Sequence, residues 1–207
     1  MANANDTFTE ASDTSLVSHT SDSGHTWSKH FGNVLTVYAA GDYLYNASPS
    51  NASRYKCSVT PASADYDVQA DIVSAFDWAD GVSGRISNSD SDEYYVWFES
   101  GTWKLNKRVS GANTLLGSYT GDSPNGTTRT VKLEMRGTTS KVYIGGVERI
   151  SVTDSAISAT GNPGLVGYGV DSGEQLDNWS STDYVAGGTN PKGPLGNPFF
   201  GPFGGPI

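Results

Sequence analysis

The stretch TVKLEMRGTTSKVYIGG, residues 130–146, decides the fold class of this chain. In its first half apolar and charged residues alternate strictly: Val131, Lys132, Leu133, Glu134, Met135, Arg136. A period of two places successive side chains on opposite faces, so this run predicts a strand with one buried face. After a turn over 137–140, Val142 and Ile144 repeat the pattern, and Gly145-Gly146 is a two-residue hairpin signal.

The same alternation recurs along the chain. It occurs over 65–72, where Tyr66, Val68, Ala70 and Ile72 share a phase, and around Trp103 and Leu105. The 25 glycines and 9 prolines of the 207 residues disfavour helix interiors. Many short strands separated by turn clusters predict an all-β fold, a two-sheet antiparallel β-sandwich or jelly roll.

Charge and cysteine content limit the function classes. With 13 basic and 22 acidic residues the net charge is −9, which argues against binding nucleic acid or an anionic membrane surface. Cys57 is the single cysteine, so an intrachain disulfide is excluded. The first fifteen residues lack the basic and apolar regions of a secretion signal, and no apolar run reaches the length of a membrane span.

The composition divides the chain into a body, residues 1–184, and a tail, residues 185–207. Five of the nine prolines fall within 186–207, and proline removes backbone donors, so the tail is predicted to be extended. It also carries apolar side chains that a solvated linker does not need. We therefore expect it to dock into a partner's groove through Pro194, Leu195, Pro198, Phe199, Phe200, Pro202, Phe203 and Ile207. The alternative is a disordered end.

Eight segments resemble the laminin-G-like, concanavalin A-like lectin and glucanase superfamily. They are Gly81–Arg85, DEYYVWF at 92–98, WKLNKRV at 103–109, TLLGSY at 114–119, TVKLEMRG at 130–137, KVYIGG at 141–146, ISVTDS at 150–155 and LDNW at 176–179. The resemblance covers most of residues 6–182. It implies a jelly roll of two antiparallel sheets, with terminal strands at Asp6-Thr7-Phe8 and 176–179 lying side by side. Because this fold hosts lectins, glycosidases and structural modules, it does not settle function.

The residues expected of an enzyme are absent. Glucanases of this superfamily carry a strand with paired acids, because retaining glycoside hydrolysis needs two carboxyl groups about 5–5.5 Å apart. Here Glu93 and Glu99 are six residues apart, and Glu134 lies between two basic residues. His19, His25 and His30 match no standard zinc spacing and are interpreted as ordinary polar residues of loops and edges. We therefore predict no catalytic residues, no enzymatic activity and no required cofactor.

Calcium is the metal that the sequence suits best, because its hard oxygen ligands are available at two places. Asp6 with Asp177 lies where the terminal strands are expected to meet, and the loop 88–92 supplies Asp90 and Asp92. A structural calcium ion is therefore an expectation, and solvated acidic loops are the alternative.

An aromatic strand supplies the candidate binding surface. Tyr94, Val96 and Phe98 occupy one face of it, so Tyr95 and Trp97 occupy the other. Continued alternation is expected to bring basic and amide side chains beside them. The predicted glycan-binding set is Arg85, Tyr95, Trp97, Lys104, Asn106 and Arg108.

Together these features favour a non-catalytic structural or adhesive module of a viral particle, a phage head decoration or tail surface protein. The expected partners are other virion proteins, bound through the tail, and host surface glycans, without nucleic acid or membrane insertion. Self-association into a homo-oligomer is expected from exposed sheet edges and the tail phenylalanines. The expected location is a virion assembled in the host cytoplasm. The alternatives are a free, extracellular carbohydrate-binding lectin and a divergent glycoside hydrolase.

Overall fold

A computed structural model describes residues 3–46, 52–74, 78–89, 91–167 and 174–185. Sixteen strands and one short 3-10 turn, Leu16–Ser18, are present in these ranges. The strands are β1 Asn3–Asp6, β2 Thr14–Ser15, β3 Trp27–Phe31, β4 Leu35–Tyr38, β5 Tyr43–Asn46, β6 Ser53–Cys57, β7 Tyr66–Val73, β8 Trp78–Ile86, β9 Glu93–Glu99, β10 Thr102–Val109, β11 Ala112–Thr120, β12 Arg129–Arg136, β13 Thr139–Ile144, β14 Val147–Thr153, β15 Asn162–Gly167 and β16 Gln175–Asp183. Over these ranges no helix is long and apolar enough to cross a membrane.

The strands form two antiparallel sheets, which confirms the predicted all-β sandwich. One sheet has nine strands in the order β14-β13-β12-β7-β16-β5-β4-β2, and β1 pairs with β16. The other sheet has seven strands in the order β11-β10-β9-β8-β15-β6-β3. The tail residues predicted to dock, from Pro194 to Ile207, lie outside the described residues.

The strands and turns predicted from residues 130–146 are present as two consecutive hairpins, β12–β13 and β13–β14. Val131, Leu133 and Met135 are fully buried, while their charged neighbours remain at least partly exposed. Gly145 and Gly146 both have positive φ, 57° and 80°, the backbone that a two-residue hairpin turn needs. The first turn is shorter than predicted, because Arg136 already pairs with Thr139.

The terminal strands lie side by side, as the resemblance implied. Asp6 of β1 is opposite Trp179 of β16. Strand β1 ends at Asp6 and does not continue through Phe8. The φ of Phe8 is 46°, which turns the chain out of the extended conformation. Phe8 instead packs into the core between the sheets, with its ring centroid 6.0 Å from that of Trp27.

Candidate functional site

Strand β9 supplies the centre of the candidate site. Tyr94, Val96 and Phe98 point into the core between the sheets. Period-two alternation therefore places the remaining side chains on the opposite side, which we call the outer face of the seven-stranded sheet. These side chains are Glu93, Tyr95, Trp97 and Glu99.

The neighbouring strand β10 places three of the sequence-predicted residues beside them. Arg108 is opposite Glu93, Asn106 is opposite Tyr95, and Lys104 is opposite Trp97. Trp97 and Lys104 are partly exposed, whereas Tyr95 and Asn106 are buried. The accessible aromatic surface is thus Trp97, with Tyr95 packed edge-on to it at 5.7 Å between ring centroids.

The prediction for Arg85 is wrong. Its φ of 52° breaks the alternation of β8, so its side chain leaves the outer face. The buried guanidinium donates hydrogen bonds to the backbone carbonyls of Ala64 (2.9 Å), Gly137 (2.9 Å) and Ile157 (2.8 Å). Arg85 therefore ties loops together and is not part of the outer face.

Two contacts cross the outer face from its β6–β3 side to its β9–β10 side. Arg54 of β6 donates a hydrogen bond from Nη1 to Oε1 of Glu93, and its guanidinium lies 4.2 Å above the Tyr95 ring. The guanidinium of Arg108 lies 5.5 Å from the ring centroid of Phe31 at the end of β3. Strands β8 and β15 lie between the two sides. We call the Arg54–Glu93 contact the clasp.

Buried polar atoms without a hydrogen-bond partner gather around the clasp. Within the described part of the chain they include both ring nitrogens of His30, Nε of Arg54, Oγ of Ser83 and Oε2 of Glu93. The closest approach of His30 to Glu93 is 3.9 Å from Nε2 to Oε2, too long for a hydrogen bond. Leaving such groups unpaired is costly, so a concentration of them indicates that water or a ligand completes the site.

Sequence reasoning did not find His30, Arg54 or Ser83. His30 was interpreted as an ordinary polar residue, but its side chain is only 1% exposed. Arg54 and Glu93 are 39 residues apart and lie on strands that are not adjacent, so no local pattern could pair them. The available signal was an arginine between buried positions, Ser53 and Tyr55, of a short strand.

The charge state of Glu93 is set by its neighbours. Burial alone would raise the pKa of this carboxyl, but nearby His30 and Arg54 outweigh burial and lower it. The carboxyl is therefore ionised at neutral pH and accepts hydrogen bonds rather than donating a proton. Glu99, the other acid on this face of β9, bonds to Lys104 Nζ at 2.6 Å. Six residues of strand separate the two acids by about 20 Å.

The calcium candidates occupy three different surroundings. Asp6 is fully buried and already accepts hydrogen bonds from His19 Nε2 (2.9 Å), the Trp27 indole (2.7 Å) and the Phe8 amide (2.9 Å). Its oxygens are therefore already occupied by donors from within the chain. Asp92 accepts a hydrogen bond from the Ser110 amide at 2.7 Å, and Asp90 lies outside the described residues.

Asp177 lies in an acidic pocket with Asp42 and Asp71, the latter directly opposite on β7. Partial burial, together with repulsion from these acids, raises the pKa of Asp177. Among the described residues, no group of three or more His, Cys, Asp and Glu side chains has the arrangement of a metal site. Calcium binding stays a prediction, and among the candidates that the structure describes Asp177 lies in an acidic pocket.

Comparison with known proteins identifies the fold. No family model and no curated protein sequence matches the chain. Among solved structures, the carbohydrate-binding module CBM66 from Bacillus subtilis is similar, with a TM-score of 0.54 and 16% identity over 84% of this chain and 95% of that one. A prokaryotic beta-1,3-1,4-glucanase (lichenase) derived from a mouse hindgut metagenome has a TM-score of 0.58 and 11% identity, covering 89% of this chain and 100% of that one.

A third similar structure is a B. subtilis protein of unknown function with a galectin-like fold, with a TM-score of 0.57 and 10% identity over 76% of this chain and 89% of that one. At such identities the likeness concerns the fold alone, and it confirms the concanavalin A-like jelly roll that the sequence resembled. These neighbours include a carbohydrate-binding module and a glucanase, so the shared fold does not decide between binding and catalysis.

Proposed function

We propose that this chain is a non-catalytic module that binds saccharides on the outer face of its seven-stranded sheet. The observation that carries the proposal is the partly exposed ring of Trp97, which lies on the same outer face as the unpartnered polar atoms around the clasp. A sugar presents an apolar ring face together with hydroxyl groups that both donate and accept. Trp97 supplies the apolar surface.

The unpartnered atoms match hydroxyl groups in type. Glu93 Oε2 is an acceptor, Arg54 Nε is a donor, and His30 and Ser83 offer both roles. These atoms are buried, so saccharide hydroxyl groups would reach them through bridging water.

Two features argue for binding without hydrolysis. A retaining glycosidase needs two carboxyl groups about 5–5.5 Å apart, and an inverting one needs about 6.5–9.5 Å. Glu93 and Glu99 of β9 are much farther apart, and each is held by a basic side chain, Arg54 and Lys104 respectively. Glu93 also has a lowered pKa, the opposite of what a general acid requires.

The experiment that tests this proposal is a glycan array probed with the full chain and with Trp97→Ala. We expect the wild type to bind a defined set of glycans and the variant to lose at least about tenfold in affinity, since a sugar-stacking tryptophan is a typical binding hot spot. Tyr184→Ala is the matched control, because Tyr184 is 46% exposed and directly follows β16, the strand of the other sheet that ends at Asp183.

Two results would contradict it. Binding that is unchanged in Trp97→Ala would remove the outer face as the site. Turnover of a polysaccharide panel by the purified chain would favour the divergent glycoside hydrolase instead.

We further propose that the module works on the surface of a viral particle, anchored to other virion proteins by residues 186–207. The supporting observation is the sequence of this segment, which combines five prolines with Phe199, Phe200, Phe203 and Ile207. A preformed extended peptide with apolar side chains docks at low entropic cost. Deleting 186–207 should abolish incorporation into particles and leave saccharide binding intact. Incorporation of the truncated chain at the wild-type level would favour the free lectin.

A further inference from the structure

A cavity of about 300 Å³ opens between two loops at one end of the sandwich, and we call it the loop pocket. One wall is the loop between β8 and β9, which contributes Ser87, Asn88 and Asp92. The other wall is residues 156–160, which lie in the connection from β14 of one sheet to β15 of the other. The pocket is distinct from the aromatic part of the outer face, because Asp92 precedes Trp97 by five residues of extended chain, about 17 Å.

Buried groups fix the wall formed by residues 156–160. The Ile157 amide donates a hydrogen bond to Oη of Tyr94 at 3.2 Å, and the Ile157 carbonyl accepts one from Nη1 of Arg85 at 2.8 Å. The Tyr94 hydroxyl in turn donates to Oδ1 of Asp154 at 2.7 Å. The wall is therefore held in place before a ligand arrives, which lowers the entropic cost of binding.

The opposite wall positions the Asp92 carboxylate through one of its two oxygens. The Ser87 amide donates to the Asp92 carbonyl at 3.0 Å, which closes the loop. Among the described residues, the donors to the carboxylate are the Ser110 amide at 2.7 Å and the Ser91 hydroxyl at 3.3 Å, and both reach Oδ1. Oδ2 is therefore left to accept from a ligand, and hydrogen bonds to a charged acceptor are the stronger ones.

The lining of the loop pocket is balanced in charge and rich in neutral polar groups. Of the described lining residues, Arg85 is positive and Asp92 is negative, so the lining favours neither a metal cation nor an anion. The other polar lining residues both donate and accept hydrogen bonds. They are Ser87, Asn88, Ser158 and Thr160. Apolar surface comes from Ala156, Ile157 and Ala159. A neutral ligand with several hydroxyl groups and some apolar surface matches this lining.

We propose that the loop pocket is a second saccharide subsite that takes a single neutral sugar residue, with Asp92 accepting from its hydroxyl groups and the exposed Ser158 and Thr160 completing the contact. The inference rests on the proposed saccharide binding for the class of ligand, but its site is separate. A volume of about 300 Å³ is at the lower limit for ligand pockets, so it suits one sugar residue rather than a chain.

A second subsite changes how the module holds a surface. A surface that displays the same sugar many times can engage Trp97 and the loop pocket together, and the second binding event is then intramolecular. We expect a dense glycan surface to be bound at least about tenfold more tightly than a single soluble sugar residue. Loss of either subsite should reduce that gain.

The test is an NMR titration of the full chain with the methyl glycosides of glucose, galactose, mannose and N-acetylglucosamine. We expect at least one of them to shift the backbone amide signals of Asn88, Asp92 and residues 156–160. Ala159→Trp should weaken that response at least about tenfold, because Ala159 is exposed and a large ring there fills the pocket. Ser155→Trp is the matched control, since Ser155 is exposed on the same loop but does not line the pocket.

Asp92→Asn tests the hydrogen bond without filling the pocket. Asparagine keeps a carbonyl oxygen for the Ser110 amide but puts a donor in place of Oδ2, so sugar affinity should fall about tenfold. Asp22→Asn is the matched control, because Asp22 also accepts a backbone amide, that of Thr7 at 3.0 Å, through one carboxylate oxygen. Thermal melting curves of all four variants establish that they are folded.

The outcomes separate this inference from the proposed function. Glycan-array binding that depends on Trp97, with no methyl glycoside shifting the signals of the loop pocket, overturns the second subsite and leaves the outer face standing. An equal response in Ala159→Trp and Ser155→Trp, or in Asp92→Asn and Asp22→Asn, also overturns it. A response to calcium or acetate but to none of the glycosides replaces it with an ion site. Absence of binding to any glycan overturns both proposals.

Discussion

Two buried clusters in this molecule contain a histidine and a carboxylate, and they are completed to very different degrees. At the N-terminal end, His19 contacts Asp6 through Nε2 at 2.9 Å and Glu10 through Nδ1 at 2.6 Å. On the outer face, His30 approaches Glu93 no closer than 3.9 Å. Both ring nitrogens of His19 are bonded, whereas within the described residues neither ring nitrogen of His30 has a hydrogen-bond partner.

The difference separates a structural cluster from a candidate site. Asp6 also accepts hydrogen bonds from Trp27 and Phe8, so the first cluster fastens β1 and the chain after it to the core. A completed buried network stabilises and has no capacity left for a ligand. The incomplete cluster around Glu93 stabilises less than its burial would allow, and its spare hydrogen-bonding capacity is what a ligand would use.

The largest expected effect is on the completed cluster. Asp6→Ala removes the shared acceptor of His19, Trp27 and Phe8 and leaves the buried His19 ring with one partner. We expect the free energy of unfolding to fall by about 3–5 kcal/mol, the usual cost of breaking a buried ion pair from one side. Urea unfolding followed by tryptophan fluorescence measures it, and Asp22→Ala, in an exposed hydrogen-bonded loop, is the control. A loss below that of the control would contradict a fastening role.

How far the sequence could predict these clusters depends on the range of the interactions. Alternation correctly predicts the core-facing residues of β9 and β12, and in β12 burial itself follows a period of two. The sequence misplaces Arg85 because one positive φ reverses the alternation locally, and the residue that adopts it is an arginine rather than a glycine. Asp6 was interpreted as a calcium ligand, since a sequence does not show that His19, thirteen residues away, occupies its oxygens.

The pH dependence of stability offers a second way to compare the clusters. Burial alone would lower the pKa of His19, but the hydrogen bonds with Asp6 and Glu10 outweigh it and raise the pKa above its ordinary value of 6.5. A raised folded-state pKa gives stability that is fully present below 6.5 and is lost as pH rises through the raised value. We expect unfolding free energy to fall above this pH by at most about 1.4 kcal/mol per pH unit.

His19→Gln should abolish that slope, and urea titrations between neutral and alkaline pH measure it. His25→Gln, a change at a half-buried histidine of the same segment, should retain the wild-type slope. Parallel curves for wild type and His19→Gln would contradict the assignment of the raised pKa to this cluster.

The Glu93 cluster should respond with the opposite sign. Its lowered carboxyl pKa gives stability that is present above the ordinary value of 4.5 and is lost as pH falls through the folded-state value. Glu93→Gln should therefore flatten the acid side of the stability profile and leave the side above neutrality unchanged. If Glu93→Gln instead flattened the stability profile above neutral pH, the Glu93 and His19 clusters would be coupled.

The smallest expected effect on stability comes from replacing the whole clasp. Arg54→Met combined with Glu93→Leu removes both charges together, and such exchanges of buried pairs for apolar side chains are often neutral or stabilising. We expect unfolding free energy to change by less than about 1 kcal/mol while saccharide binding is lost. The control is Lys141→Met combined with Glu148→Leu. This pair lies at the surface of the other sheet, with 2.8 Å between Lys141 Nζ and Glu148 Oε2. A clasp variant that is strongly destabilised would place this pair with the His19 cluster, as structure rather than as a site.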